Sequence, residues 1–415
     1  MSCSCKRKLF SIFRGKGVGD SDNIAIFALR NYRNIKKRND MEQLENPFII
    51  TGYESPQYFC DRVQETTDLI GTLKNGRNVT LTSPRRMGKT GLIKHTFHLL
   101  REQDNNNVVI YIDLFPTENL TDFTKAFASG VMGQLDSNPT KLLNKAMAFF
   151  KALRPVISYD DYTGKPKITL DIAKGTESHT IEQVFQYLKQ SGKNCYIAFD
   201  EFQQIAFYPE KNIEALLRSY IQDLHNVHFI FSGSQAHMLQ EMFLSPKRPF
   251  YQSTSGKAVG TIDEDAYFEF AYGFFSEQKR DLPRDTFHRI YQMYEGHTWY
   301  IQMILNRIFS NVSIQIDIEL VQECIADILA ENEYYYQRLL RAYSKGQVSL
   351  LKAIAKEKTV SGILSGSFIS KYGLTATSSV KSALKRMLDD EIVYQSDIGY
   401  MIYDRFFGDW LASTF

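Results

Sequence analysis

Cysteine is scarce in this chain of 415 residues, with 5 in all. Cys3 and Cys5 form a lone C-x-C, while Cys60, Cys195 and Cys324 stand singly among apolar neighbours. That excludes a disulfide-stapled scaffold, gives zinc no ligand set, and fits a reducing, cytoplasmic setting. Long apolar runs are missing too: nothing approaches the ~18 consecutive apolar residues of a membrane-spanning helix. Charge of one sign is lacking, with 49 Lys and Arg against 47 Asp and Glu. The balance is uneven along the chain. Residues 1–40 hold 10 basic and 3 acidic residues, which leaves 39 against 44 for the rest. A globally basic nucleic-acid binder is therefore not expected.

Aromatics are plentiful, with 29 Phe and 24 Tyr, so most of the chain folds. Its length calls for two or three domains. Residues 1–40 lack the apolar stretch of a secretory leader and read as a flexible basic extension or an over-long translation start. The globular pattern opens at Met41. From there short β-rich runs alternate with helical periodicity, the rhythm of a parallel α/β sheet. Strands are expected at 78–82, 108–114, 195–199, 227–231 and 257–262. Helices are expected at 89–101, 120–135, 140–153, 181–190 and 213–224, with a hairpin inserted around 162–165. Residues 41–263 then form a nucleotide-binding core and 264–335 an aromatic-rich helical lid. Residues 336–415 follow the layout of a winged helix-turn-helix, with a ribbon turning at 397–399.

The central motif is Ser83-Pro84-Arg85-Arg86-Met87-Gly88-Lys89-Thr90, between an expected strand and helix. There a P-loop wraps phosphates with backbone N–H groups and adds the positive end of the helix dipole. Lys89 would reach the β- and γ-phosphates of ATP, and the Thr90 hydroxyl would complete a Mg²⁺ shell. A second strand ends in Asp200-Glu201. Asp200 would hold the Mg²⁺ through water, and Glu201 would act as general base on the attacking water. Ser232, with Ser234 next in order, stands where a polar sensor of the γ-phosphate is expected. His225, His228 and His237 have no metal-ligand spacing.

The stretches FCDRVQETTDLIGTLKNGRNVTLTSPRRMGKTGLI, YIAFDEFQQI, FIFSGSQAHML and IYDRFFGDWL together resemble the archaeal and bacterial AAA-type ATPases with a G-P-R-R-x-G-K-T loop. These are grouped with the STAND signalling NTPases. The resemblance spans about residues 45–415. It implies an ASCE-type P-loop NTPase core, a helical lid, a C-terminal winged helix and nucleotide contacts across Ser83–Gly91. It also implies that Arg62 and Glu65 supply an Arg-x-x-Glu near the nucleotide. Three positions depart from the pattern. Ser83 replaces a glycine. Pro249-Phe250-Tyr251-Gln252-Ser253 stands where relatives carry Leu-Tyr-Gly-Arg, so that arginine is missing, with Lys247 or Arg248 a candidate stand-in. Gly296-His297-Thr298 replaces Gly-x-Pro, and Gly296 also reads as a rigid turn.

The helix expected at 377–388 carries Lys381, Lys385 and Arg386, but Asp389, Asp390 and Glu391 follow at once. Residues 345–415 hold 9 basic and 7 acidic side chains, a poor electrostatic footprint for duplex DNA. Phe406, Phe407, Trp410 and Leu411 read as core. The expectation is a cytoplasmic ATP- and Mg²⁺-dependent switch with slow hydrolysis and a protein partner at the winged helix. A homo-oligomer would be one source of a missing arginine. The alternatives are an initiator-type ATPase on duplex DNA and a non-hydrolysing scaffold.

Overall fold

Short runs of β-branched and aromatic residues set the sheet that positions everything else. The computed structural model describes residues 44–135, 153–159, 166–172, 175–396 and 398–414. The basic extension and the helix expected at 140–153 lie outside these residues, except Leu153, which opens a strand. In chain order the first half comprises α1 (Val63–Lys74), β1 (Val79–Thr82), α2 (Lys89–Gln103), β2 (Val108–Asp113), α3 (Leu120–Leu135), β3 (Leu153–Tyr159) and β4 (Pro166–Ile172). It continues with α4 (Glu177–Gln190), β5 (Cys195–Asp200), α5 (Ile213–Ile221), β6 (Val227–Gly233), α6 (Ala236–Leu244) and β7 (Ser255–Ala258). Five strands form one parallel sheet, order β2-β5-β6-β1-β7, and β3 and β4 pair as a separate antiparallel hairpin.

Side chains alternate across the sheet, and both faces are covered. Ile197, Phe199, Phe229 and Phe231 pack with Phe123, Phe127 and Leu188 on one face. Tyr196, Ala198 and Ile230 pack with Leu69, Leu92 and Ile93 on the other. Strand β7 is earlier and shorter than the 257–262 expected. Val259 still donates to the Thr82 carbonyl, but the Gly260 carbonyl is taken by the Arg62 guanidinium at 2.7 Å, and the chain leaves the sheet.

The second half is helical: α7 (Glu264–Glu277), α8 (Arg284–Met293), α9 (Thr298–Ser310), α10 (Ile318–Leu340), α11 (Lys345–Glu357), α12 (Gly366–Lys371) and α13 (Thr377–Asp389). The ribbon β8 (Val393–Ser396) and β9 (Gly399–Ile402) follows, and α14 (Arg405–Thr414) closes the chain. Helix α10 runs unbroken through position 335, where composition had suggested a boundary. Phe406, Phe407, Trp410 and Leu411 are buried on α14, which returns to the lid. One apolar core runs without a break from Tyr267, Ile301 and Ile304 to Leu351, Phe406 and Trp410. Lid and winged helix are thus one packed body. Among the described residues, no helix is long and apolar enough to cross a membrane.

Candidate functional site

At the C-terminal end of β1 the chain coils before α2 begins at Lys89. Arg86 and Gly88 both take left-handed backbone angles, φ 68° and 85°. Left-handed residues in a tight loop turn successive N–H groups toward one point, which makes an anion cradle. Ser83 is buried and donates its hydroxyl to the Pro84 carbonyl at 2.8 Å, so it serves the loop where a glycine was expected. Met87 is buried behind the loop, and Gly91 leaves room for the Phe59 ring. Arg62 is 2% exposed. It donates to Glu65 at 2.8 Å and to the carbonyls of Met87 and Gly260 at 3.1 and 2.7 Å. Its donors brace the loop from behind.

The expected catalytic groups converge beside this loop. Lys89 is buried at the first turn of α2; burial pushes its ammonium below the ordinary value, while Glu201 and Asp200 pull it back up. Asp200 gathers four donors. Thr90 Oγ1 and the Tyr111 hydroxyl reach Oδ2 at 2.8 and 2.6 Å; Ser232 Oγ and the Glu201 N–H reach Oδ1 at 2.7 and 3.1 Å. Ser232 arrives there because β6 lies between β5 and β1 in the sheet. Glu201 sits in a left-handed turn, φ 53°. Its Oε2 accepts from the Gln203 amide at 2.5 Å, the Ser234 N–H at 3.2 Å and the Ser234 hydroxyl at 2.9 Å. Thr90 and Asp200 offer only oxygen, the donor chemistry that Mg²⁺ takes.

Tyr111 and Gln203 were not singled out from sequence. Tyr111 lies two strand positions before Asp113, the register partner of Asp200, so its place depends on sheet pairing. Burial first, then the Asp200 charge, pushes its hydroxyl well above the ordinary value. Gln203 had a local signal, two residues after Glu201.

The arginines settle differently from expectation. Arg248 pairs with Glu214 at 3.1 Å and Glu241 at 3.7 Å, which spends it as a stand-in, and Lys247 is exposed. The two loop arginines reach the winged helix instead. Arg85 pairs with Glu391 at 2.8 Å and its Nε donates to Ser234 Oγ at 3.2 Å. Arg86 pairs with Asp404 at 3.0 Å and lies 4.1 Å above the Trp299 ring, while its carbonyl accepts the Trp299 N–H. Gly296 takes φ +70°, and a Cβ there would stand 2.6 Å from Thr261 Cγ2, so its glycine serves a tight turn.

Comparisons with known proteins match this arrangement. Residues 59–304 fit the profile of an ATPase domain predominantly from Archaea, and residues 334–413 that of a probable winged helix domain. No curated protein matches the chain significantly. Among solved structures, the chain resembles the Walker-type ATPase of Pyrococcus abyssi at 18% identity and TM-score 0.61, over 88% of this chain and 99% of that one. It also resembles the ORC2 protein of Aeropyrum pernix, solved in ADPNP-ADP complexes, at 15% identity and TM-score 0.53, over 88% and 96%. At these identities the likeness is one of fold.

Proposed function

The chain belongs to the family of ATPase domains found predominantly in Archaea, and from that premise we propose a STAND-like, nucleotide-dependent conformational switch with slow Mg²⁺-dependent ATP hydrolysis. The observation that carries the switch is the double attachment of the phosphate loop to the winged helix, Arg85 to Glu391 and Arg86 to Asp404. A ligand that changes the loop acts directly on those two ion pairs. Because lid and winged helix share one core, they would move together.

In this reading the backbone of Ser83–Gly91 and the Lys89 ammonium hold the phosphates. Thr90 and Asp200 would hold Mg²⁺, which supplies charge neutralisation at the phosphates when bound. Glu201 takes the proton of the attacking water, and Ser232 orients Asp200 and reports on the terminal phosphate. Arg62 and Glu65 support the loop. Hydrolysis is slow because Pro249–Ser253 lacks the arginine of relatives and Arg248 is engaged elsewhere. A second copy of the chain would be the source of a trans-acting arginine, a device worth ~10³–10⁵ in rate. A protein partner would read the exposed or hidden winged-helix surface.

The initiator-type reading needs a basic face. On α13 it finds Lys381 and Lys385, while Arg386 is engaged by Asp390 and the Ala342 carbonyl. The test is ATP turnover of the purified chain beside Glu201→Gln and Lys89→Ala, with nucleotide affinity measured for each. Slow wild-type turnover, a Glu201→Gln variant that binds but stalls, and a Lys89→Ala variant weakened about 30- to 1,000-fold would support the assignment. Unchanged affinity in Lys89→Ala would remove the assigned site. Binding without turnover in wild type and Glu201→Gln alike would favour the non-hydrolysing scaffold.

A further inference from the structure

We propose that Ser234 and Arg85 are positioning residues that tie the Glu201 carboxylate to the winged helix, so that turnover depends on Glu391, a residue of the turn between α13 and β8. The proposal deepens the reading above and rests on Glu201 as general base.

The hydrogen bonds to Glu201 fall on one oxygen. Oε2 takes the Gln203 amide and both donors of Ser234. Among the described residues nothing is bonded to Oε1, which leaves that oxygen for water. The hold on Oε2 needs the Ser234 hydroxyl proton to point at Glu201. A serine hydroxyl has one proton and rotates freely unless its lone pairs are engaged. Arg85 Nε–H engages them at 3.2 Å, which directs the proton to the carboxylate.

Arg85 is a long, half-exposed side chain that needs an anchor of its own. Glu391 supplies it at 2.8 Å, and the Tyr403 ring lies 5.4 Å from the guanidinium. The other oxygen of Glu391 accepts from Gln235. Neighbouring residues of one loop thus grip two carboxylates: Ser234 holds Glu201, and Gln235 holds Glu391. Glu391 itself takes φ 54°, a left-handed angle that costs energy in a non-glycine residue and is kept where surroundings enforce it. The path Glu201–Ser234–Arg85–Glu391 joins the site to the winged helix through three direct residue contacts.

A half-exposed ion pair contributes little to folding. Removing Glu391 should therefore spare stability and change chemistry, which separates positioning from scaffolding. The experiment uses the full chain with Mg²⁺ and ATP, in wild type, Glu391→Gln, Ser234→Ala, their double variant and Glu201→Gln. It reads kcat, ATP affinity by direct binding, and amide exchange at residues 233–236 in nucleotide-free protein. The expected result is a kcat about tenfold lower in each single variant, a fraction of what a general base supplies, with ATP affinity held within about twofold. The double variant should be no slower than the slower single, and exchange at 233–236 should rise in Glu391→Gln without nucleotide. Wild-type kcat in Glu391→Gln, multiplicative losses in the double variant, or unchanged exchange would overturn the proposal. Full turnover in Glu201→Gln would overturn the assignment of the base and the proposal with it. A stalled Glu201→Gln beside a fully active Glu391→Gln overturns the coupling alone.

Discussion

Two seams divide this molecule, and they are made of different materials. The seam between lid and winged helix is largely apolar: Phe406 of α14 meets Tyr300 of α9 at 5.0 Å, Tyr294 at 5.3 Å and Trp299 at 6.0 Å. The seam between that body and the phosphate loop is polar, resting on Arg85 with Glu391, Arg86 with Asp404, and the Trp299 backbone N–H on the Arg86 carbonyl. Buried aromatic packing is costly to open and indifferent to a charged ligand. Arginine–carboxylate pairs are weaker when partly exposed, and a phosphate bound at the loop changes the field around them. A switch needs one joint that stays shut and one that a bound anion can adjust. The difference between the seams fits that division.

The comparison breaks first at Phe406. Phe406→Ala should cost about 3–5 kcal/mol, because it empties a fully packed contact between lid and α14. Urea unfolding at low and high salt would give the same loss. A loss below about 1 kcal/mol would mean the two halves do not share a core. Arg86→Ala should cost less, about 1–2 kcal/mol, from the indole contact and the Asp404 pair. That loss should shrink in about 1 M salt, where exposed charges are screened. Salt-independent destabilisation would show the polar seam to be a packing contact after all.

What the sequence made legible follows from contact range. The phosphate loop and Asp200-Glu201 are legible because a strand and the turn after it fix them locally, whereas Ser232 was legible only as a strand end and the sheet order brings it to Asp200. Tyr111 is invisible to that logic, since only the pairing of β2 with β5 brings it to Asp200. The seam was invisible for the same reason: Arg86 and Asp404 are 318 positions apart. In sequence alone the acidic run at 389–391 reads as a mark against DNA. In the structure Asp390 holds Arg386, and Glu391 holds Arg85. Short-range charge counting gave the sign of that surface without its use. The slip in β7 has a similar origin, because the residue that ends it, Arg62, lies on a distant turn.

Asp409 and the Arg405–Glu295 pair are polar contacts inside the largely apolar seam, and Asp409 sharpens the comparison by a smaller amount. It accepts the Tyr294 hydroxyl at 3.0 Å. Burial, the largest influence, pushes its carboxyl above the ordinary value, against the pull of Tyr294, Lys358 and Arg405. A raised acid folds best protonated. Its contribution is full below the unfolded value near ~4 and is lost as pH rises through the raised folded value. Asp409→Asn keeps an acceptor for Tyr294 and removes the charge. It should gain stability near neutral pH, and the gain should vanish below the unfolded value. A loss at neutral pH would show that the ionised form is the one the seam wants.

The smallest expected effect is at Lys381 and Lys385, exposed on α13. If the winged helix works through its seams, neutralising both should leave duplex-DNA affinity at physiological salt unchanged. Two cations release about two counterions, giving a log–log salt slope near −1.8, too shallow to hold a duplex unaided. The measurement is a salt titration of duplex binding in wild type and the Lys381→Ala, Lys385→Ala double variant. A steep slope that flattens in the variant would turn α13 into a nucleic-acid surface. The polar seam would then have to be judged by whether opening it, in Arg86→Ala, strengthens that binding. Equal and shallow slopes would leave the charge on α13 as a solvated face, and the arginines on the phosphate loop as the ones that matter.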